Sequence, residues 1–353
     1  MKKIFIIIPS FIQTGPIKGA VALANYLVKY RNVTIVTVKN DYDVMDDLDK
    51  RVMTETLGDS KNIFSQIIAY KRILRGSGSR KDVASISLCF SADFVNLFCK
   101  KEAFTCASIR GNLINIYRMD YGIFGLPVAI IHLISLFQFD EVVSMSNHMR
   151  KQIKFYSRKE SKVIGNFIDE FKINKFKNKE KSRNDIKKFI FVGSVSKRKN
   201  PILLLNTLKK IHDLGHNISL DILGDGPLMK SVLKEIELLN LKNIVKVHGH
   251  VSSPYKLISE SSVFVLPSES EGISRASLEA LHLGIPCVLR NIEGNYELIE
   301  DGVNGFLFNR DNDLLDAMMK AMNFCNPHLG RESLLPRFYR QEKCGKAYLE
   351  LLE

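Results

Sequence analysis

Two glutamates in the second half of the chain have the type and spacing to bind a phosphorylated sugar. Glu271 lies in a polar loop after the apolar segment 263–266, and Glu279 follows in a helical stretch. Ser274 can cap that helix, whose first N–H groups favour an anion between the two carboxylates. Carboxylates accept hydrogen bonds from sugar and ribose hydroxyls. Spacing alone leaves an ordinary charged strand–helix junction equally open.

The segments around these glutamates alternate between strands and amphipathic helices, which predicts a parallel α/β sheet. Glycine follows the helical stretches that end at Leu214 and Leu283, as expected at helix ends. The predicted strands are 189–192, 219–223, 245–248, 263–266 and 287–289, and the predicted helices are 203–214, 228–239 and 274–283. Ligands of such sheets bind beyond the carboxyl ends of the strands, where Glu271 is expected.

The first half of the chain repeats this alternation. Its predicted strands are 3–9, 33–39, 83–89, 104–110 and 141–146, with a helix at 19–30. A polar, basic segment of weak periodicity separates the halves. We therefore predict Rossmann-like domains at 1–168 and 189–336, a linker at 169–188, and a final helix at about 337–353 that packs back on the first domain. The expected fold class is α/β, with two doubly wound parallel-sheet domains that face a cleft.

Charge is concentrated in the first half. The chain has 353 residues and a net charge of +13, and residues 1–165 hold 24 Lys and Arg against 14 Asp and Glu. A basic domain indicates an anionic partner, such as anionic lipid, a phosphate-bearing acceptor or nucleic acid, although solvated surface lysines remain an alternative. The chain shows no zinc pattern or aromatic RNA-binding motif, so we expect no nucleic acid partner.

Compartment and membrane signals favour the cytoplasm. Six scattered cysteines without a CxxC pair suit reduced thiols. The N-terminal apolar run is too short for a signal peptide. The segment Ile123–Phe139 is interrupted by Pro127, His132, Ser135 and Gln138, so a buried or interfacial helix is expected there rather than a membrane span. We expect a cytoplasmic protein, with or without peripheral attachment to the inner face of the plasma membrane.

Other candidate motifs are weaker. The triplet Asp41-Tyr42-Asp43 lies in an acid-rich stretch, so a solvated loop is favoured over a Mn²⁺ site. The histidine pairs at 212/216 and 248/250 have no nearby Cys or carboxylate partner, which favours surface or packed histidines. No GxGxxG follows the first strand and no P-loop occurs, so a dehydrogenase or P-loop NTPase is not expected.

Ordered motifs resemble those of glycosyltransferase family 4, a retaining family with the GT-B fold. The resemblance is strong over about 189–310 and looser over 40–120. Its motifs are Phe191-Val192-Gly193 with Lys199-Asn200, Leu223-Gly224-Asp225-Gly226-Pro227, the E-x7-E region from Glu271-Gly272 to Glu279-Ala280-Leu281 with Gly284-Ile285-Pro286, Asn295-Tyr296-Glu297-Leu298-Ile299 with Asn304-Gly305, and Thr14-Gly15-Pro16.

The resemblance implies roles for individual residues. Glu271 would hold hydroxyls of the donor sugar, Glu279 the nucleotide ribose, and Lys199 the diphosphate. Ser194 stands where the family usually has an arginine, so either Lys197 or Arg198 would supply that charge or the phosphate would be held less tightly. The remaining donor-side candidates are Gly15, Gly193, Gly272, Ile273, Ser274 and Arg275, through close backbone approach or N–H groups. On the acceptor side, Arg110 and Asn112 lie where the family commonly has a histidine.

The implied reaction is transfer of a sugar from a UDP- or GDP-linked donor to a glycan or lipid-linked saccharide acceptor, with retention. No metal cofactor is expected, because Lys199 and helix dipoles can take the charge of the leaving diphosphate. The implied setting is cell-surface polysaccharide synthesis, such as capsule, O-antigen or exopolysaccharide. A non-catalytic nucleotide- or glycan-binding scaffold, or a related epimerase or phosphorylase, remains the alternative. Intact Glu271, Glu279 and Lys199 disfavour the scaffold, and the chain shows no cofactor lysine site for a phosphorylase.

Overall fold

The chain forms two compact α/β units. The structure is a computed structural model that describes residues 2–12, 14–39, 47–58, 62–177, 186–324 and 332–353. The first unit comprises Met1–Asp169 and Arg337–Glu353, and the second comprises Glu170–Pro336. Each unit has its own parallel sheet.

Seven parallel strands form the sheet of the first unit, in the spatial order β3-β2-β1-β4-β5-β6-β7. The central strands are buried along almost their whole length, because helices cover both faces of such a sheet. The strands are β1 (Lys3–Ile8), β2 (Val33–Thr37), β3 (Met53–Thr56), β4 (Val83–Ser87), β5 (Phe104–Ile109), β6 (Glu141–Ser144) and β7 (Lys162–Val163). The helices are α1 (Gly15–Leu27), α2 (Ile63–Ser77), α3 (Phe90–Leu97), α4 (Leu113–Tyr121), α5 (Gly125–Ser135) and α6 (Asn147–Ser157).

Six parallel strands form the sheet of the second unit, in the order β10-β9-β8-β11-β12-β13. The strands are β8 (Lys187–Val192), β9 (Ile218–Leu223), β10 (Val245–Gly249), β11 (Val263–Leu266), β12 (Cys287–Arg290) and β13 (Gly305–Phe308). The helices are α7 (Glu170–Asn174), α8 (Pro201–Asp213), α9 (Met229–Leu238), α10 (Tyr255–Ser259), α11 (Arg275–His282), α12 (Asn295–Leu298) and α13 (Leu314–Met322).

Both sheets have the strand order of a Rossmann-like fold. The order reverses between β1 and β4 in the first unit, and between β8 and β11 in the second. Ligands of open α/β sheets bind at such switch points, beyond the carboxyl ends of the two strands. The predicted parallel α/β architecture is confirmed, and each switch point marks where a site is expected within its unit.

The C-terminal residues form helix α14 (Gln341–Leu352) within the first unit, after a 3-10 turn at Arg337–Tyr339. The helix packs against α1, and the Tyr348 hydroxyl lies 2.7 Å from the Ser108 hydroxyl in β5. The polar contact and the buried ring of Tyr348 attach α14 to the sheet.

Several element boundaries differ from the sequence predictions. Strand β4 ends at Ser87 rather than at Cys89, because Cys89 has a φ of 75° and precedes α3. Strand β6 ends at Ser144, because the Ser146 side chain caps α6 by accepting from the Met149 N–H. The short strands β3, β7 and β13 were not predicted, because their runs are brief or partly exposed.

The segment expected to be a linker is partly structured. Residues 178–185 lie outside the described residues. Before them, α7 packs against α11, with Ile173 buried and the Asn174 side chain 2.8 Å from His282. The five described cysteines are free thiols, and Cys325 lies outside the described residues.

Candidate active site

The predicted donor residues of the second unit lie on the loops that follow two neighbouring strands. β8 and β11 pair in the sheet and flank its switch point. A 3-10 turn at Lys197–Lys199 follows β8, and the loop with Glu271 follows β11. Asn200 then adopts a φ of 50° and caps α8, accepting from the Leu203 N–H. This turn directs the chain from the strand into α8 while Lys199 stays buried.

Glu271 pairs with two cations from the facing loop. Lys199 Nζ and Arg198 Nη1 both donate to Glu271 Oε1, the second at 3.1 Å. Arg198 also donates to the Ser270 carbonyl oxygen at 2.9 Å. Lys199 and Glu271 are each only 8% exposed. The structure therefore brings together the three side chains expected at the donor sugar and its diphosphate. Arg198, rather than the exposed Lys197, is the second cation.

The charges of this cluster decide the protonation of Glu271. Burial alone would raise the pKa of Glu271, but the charges of Lys199 and Arg198 outweigh burial and hold its pKa below the ordinary value. Burial lowers the pKa of Lys199, and the charge of Glu271 opposes that shift. Glu271 is therefore ionised at neutral pH, so that both of its carboxylate oxygens act only as acceptors.

Helix α11 presents the second glutamate. Its N-cap is Ser274, whose side chain accepts from the Ser277 N–H, as the sequence predicts. Glu279 lies in the second turn, and its Oε1 is 3.5 Å from Nη2 of Arg275. Both side chains are almost buried. The N–H groups of Ile273, Ser274 and Arg275 lie at the start of this helix, where an anion is favoured.

Close backbone packing positions both donor loops. A Cβ on Gly294 would overlap the carbonyl oxygen of Gly272, so the segment after β12 lies directly against the Glu271 loop. Likewise a Cβ on Gly224 would overlap the Gly193 carbonyl oxygen, and the Val195 N–H donates to the Asp225 carbonyl oxygen at 2.9 Å. The role of Gly294 cannot be recognised from the sequence, because it depends on contact with a residue distant in the chain.

The remaining predicted residues lie in the first unit. Gly15 is the first residue of α1, and a Cβ there would meet nothing within 4 Å. Arg110 follows β5, and its guanidinium donates to Asn166 at 3.3 Å and to Tyr348 at 3.5 Å. Its Nε is buried without a hydrogen-bond partner among the described residues.

Asn112 has internal hydrogen bonds. Its side-chain oxygen accepts from the Asn115 N–H at 3.1 Å, as the cap of α4, and from Gln152 Nε2 at 3.0 Å. The side chain is buried. Both acceptor-side residues stay predictions. Both have internal hydrogen bonds, but the Arg110 Nε keeps no partner among the described residues, which makes Arg110 the better candidate.

His248, which has metal-like spacing from His250 in the sequence, pairs with a carboxylate of the neighbouring strand. Its Nε2 lies 2.8 Å from Asp221, which also pairs with Lys188 at 2.7 Å. Within the described ranges, no three His, Cys, Asp or Glu side chains are placed to share a metal ion. The Asp41–Asp43 motif lies outside those ranges, so metal independence stays a prediction.

The second unit matches a family model. Residues 172–324 match the model described as glycosyl transferases group 1. This region contains every residue of the Lys199–Arg198–Glu271 cluster and all of α11. Its residue range agrees with the region in which the family resemblance is strongest.

Curated relatives share about half their length with this chain. The galactosyltransferase of Escherichia coli that uses UDP-Gal and α-D-GlcNAc-diphosphoundecaprenol is 34% identical over 173 residues, 45% of this chain and 43% of that protein. The capsular polysaccharide biosynthesis glycosyltransferase CapM of Staphylococcus aureus is 27% identical over 188 residues, 49% of each chain.

Solved structures resemble the entire chain. HepE of Anabaena, crystallised with UDP-glucose, has a TM-score of 0.77 at 16% identity, over 100% of this chain and 99% of that one. TarM of Staphylococcus aureus has a TM-score of 0.76 at 15% identity, over 100% and 97%. Together with the two parallel sheets, these matches define the GT-B fold, as predicted.

Proposed function

We propose that this protein is a glycosyltransferase that moves a sugar from a UDP- or GDP-linked donor to a glycan or lipid-linked saccharide. The observation that carries the proposal is the Lys199–Arg198–Glu271 cluster at the switch point of the second unit, in which Lys199 and Glu271 are buried. It combines cations suited to a diphosphate with a carboxylate suited to sugar hydroxyls. The match of residues 172–324 to a glycosyltransferase family model supports the assignment.

In the proposed reaction, the bond between sugar C1 and the diphosphate oxygen breaks and the acceptor oxygen bonds to C1. The acceptor hydroxyl loses its proton, so the products are the glycoside, a nucleoside diphosphate and a proton. Lys199 and Arg198 would stabilise the negative charge that develops on the diphosphate, which is the role such fixed cations have in transfer reactions. Retention of configuration and independence of metal are part of this proposal and rest on the family resemblance.

Donor binding would require an exchange of ion pairs. In the ligand-free arrangement, Lys199 and Arg198 both donate to Glu271. A diphosphate would take over these cations, and Glu271 would then be available to the sugar hydroxyls. Glu279, near the start of α11, would accept from the ribose. Arg110 of the first unit would serve the acceptor, for which phosphate or sugar hydroxyls are suitable partners.

The proposed setting is cell-surface polysaccharide synthesis. It is supported by relatives named for capsule and O-antigen biosynthesis. The relative that is 34% identical is named for transfer to a diphosphoundecaprenol-linked sugar. A lipid-linked acceptor is therefore included among the acceptor classes to be tested.

A two-stage assay tests the function. Protection from thermal unfolding identifies the donor, because a ligand at 100 times its Kd adds about 2.7 kcal/mol to stability. This donor, with its sugar labelled, is then incubated with the protein in EDTA, together with either soluble saccharides or lipid-linked acceptors. We expect labelled product and released nucleoside diphosphate. Binding without release of nucleotide under any acceptor condition would contradict transfer and favour a binding scaffold.

A further inference from the structure

Helix α5 of the first unit is apolar on its outer face as well as on its inner face. Its buried residues are Gly125, Ala129, His132 and Leu133. Its other side exposes Leu126, Val128, Ile131 and Ile134 to solvent. A surface helix of a globular protein normally has a polar outer face. The outer side of α5 therefore has the composition of a surface that contacts an apolar partner.

The exposed surface continues at the tip of the α4–α5 hairpin. Ile123 and Phe124 are 82% and 77% exposed, and Ile131 is 66% exposed. We call the exposed side chains of Ile123, Phe124, Leu126, Val128, Ile131 and Ile134 the apolar face. Monomeric proteins rarely expose a continuous apolar patch of this kind unless it is a contact site.

Buried hydrogen bonds fix the hairpin in place. His132 of α5 lies with Nε2 3.1 Å from the Asp93 carboxylate of α3. Its Nδ1 lies 2.9 Å from the Tyr117 hydroxyl of α4. These contacts tie α5 to two neighbouring helices and orient its inner side. The apolar face is thus held outward by the fold of the first unit.

A row of aromatic side chains extends the exposed apolar surface along α3. Phe90, Phe94 and Phe98 are each partly exposed, and their ring centroids are 6.4 and 5.5 Å apart in sequence order. Phe90 also packs edge-on against His132. Aromatic side chains favour the boundary between water and an apolar phase.

Basic residues lie beside the hairpin. Arg118 of α4 is exposed, and Lys100 Nζ donates to the Gln138 carbonyl oxygen just after α5, at 3.1 Å, while it also pairs with Asp140 at 3.4 Å. Helix α6 packs against α5 and carries exposed Arg150 and Lys154. Lys154 pairs with Glu160, and Arg150 has no ion pair within the described ranges. An apolar patch beside basic residues complements a surface that is apolar inside and anionic at its edge.

We propose that the apolar face docks the protein onto an anionic lipid bilayer. Helix α5 has 11 residues, which at 1.5 Å per residue gives roughly 16 Å, against about 30 Å for the hydrocarbon core. In the described part of the chain, no helix is long and apolar enough to cross a membrane. The hairpin therefore lies in the plane of the interface, with its apolar side chains among the acyl chains and its basic residues at the headgroups.

A second copy of the chain fits this surface less well. A symmetric dimer places the same patch against itself. The positive residues beside the apolar face would then meet their own copies, and like charges across an interface oppose association. Anionic headgroups satisfy these same charges. Membrane docking does not depend on the proposed sugar chemistry, and it can be measured without an activity assay.

The absence of tryptophan from the chain provides a direct test of insertion. The Phe124→Trp variant of the full-length protein is mixed with phosphatidylcholine vesicles, with or without phosphatidylglycerol. We expect a blue-shifted emission and quenching by brominated acyl chains only with the anionic vesicles. Phe171→Trp, at an exposed position of the second unit, is the control and should show neither change.

Vesicle co-sedimentation with paired variants separates the apolar and charge contributions. Ile123→Ser with Phe124→Ser should weaken binding to anionic vesicles at least tenfold. The variant lacks the two large apolar side chains that would leave water for the acyl chains. Leu214→Ser with Leu238→Ser is the matched exposed pair in the second unit and should have no effect.

Charge reversal at Arg150 and Lys154 should weaken binding on the order of a hundredfold, since each basic residue near the surface contributes roughly a fivefold factor and reversal adds repulsion. Lys230→Glu with Lys234→Glu, exposed at the same spacing on α9, should leave binding unchanged. Added salt should release the parent protein.

Three results would overturn the proposal. They are absence of parent binding to anionic vesicles, equal binding to neutral and anionic vesicles, and unchanged binding of the Ile123/Phe124 variant. Self-association in sedimentation velocity that is abolished by the Ile123/Phe124 variant would instead assign the apolar face to a second copy.

Discussion

Replacing Glu271 by glutamine should strengthen the binding of a free nucleoside diphosphate while it strongly slows turnover. In the ligand-free arrangement, Lys199 and Arg198 already donate to the Glu271 carboxylate, and an incoming diphosphate must compete for them. The two cations keep their charge in the variant, so their bonds to the amide oxygen stay charge-assisted but no longer join opposite charges. Hydrogen bonds to charged groups contribute about 1.5–3 kcal/mol, with ion pairs toward the upper end of that range and pairs of a charged and a neutral group toward the lower end. Loss of the carboxylate charge therefore weakens the competing contacts by roughly 1–1.5 kcal/mol, which corresponds to about five- to twelvefold tighter diphosphate binding.

Isothermal titration of UDP and GDP at neutral pH measures this effect. Glu269→Gln is the matched control, because it removes a carboxylate from the same loop that accepts from Asn200 rather than from the two cations. Glu271→Gln should bind the diphosphate more tightly and turn over at least about a hundredfold more slowly, whereas the control should change neither by more than about twofold. Weaker diphosphate binding in Glu271→Gln, with the fold intact, would refute the exchange of ion pairs.

Three further predictions concern individual side chains of the second unit. Glu279→Ala should weaken the binding of nucleoside and nucleoside diphosphate alike, by roughly 1.5–3 kcal/mol in calorimetry, and equal affinities in variant and parent would remove the ribose assignment. Lys199→Ala should weaken diphosphate binding much more than nucleoside binding, and a parallel loss of both would contradict the diphosphate role. Burial would raise the pKa of Asp221, but Lys188 and His248 outweigh burial and lower it. Because its pKa is lowered, the Asp221 charge stabilises the fold at pH values above the pKa of an ordinary carboxyl group. Asp221→Asn should therefore lower the unfolding free energy at pH 7. In chemical denaturation, the difference between parent and variant should shrink below roughly pH 4. A difference that does not depend on pH would contradict that ion pairing.

The site elements that are local in sequence could be predicted, and their distant contacts could not. The helix of Glu279 and its Ser274 cap were readable because a cap and the turn that it starts are neighbours in the chain. Lys199 and Glu271 are 72 positions apart, and only the pairing of β8 with β11 brings them into contact. The contact between Gly294 and Gly272 likewise depends on the sheet order rather than on spacing.

Periodicity predicts strands and helices but does not tell which apolar surface stays exposed. The segment Ile123–Phe139 carries no charge, so its pattern fits both a buried and an interfacial helix. The structure shows one buried and one exposed side, because α3, α4 and α6 cover only the inner side of α5. The brief strands β3 and β7 carry too few buried residues to produce a readable alternation.

We propose that a nucleotide-sugar donor reacts at the Lys199–Arg198–Glu271 cluster. The most direct test measures the release of nucleoside diphosphate from the donor that thermal protection selects, with EDTA and acceptor present. The parent protein, Glu271→Ala and Glu269→Ala are compared. We expect release by the parent and by Glu269→Ala, and at least about a hundredfold less by Glu271→Ala. Undiminished release by a folded Glu271→Ala variant would contradict the account.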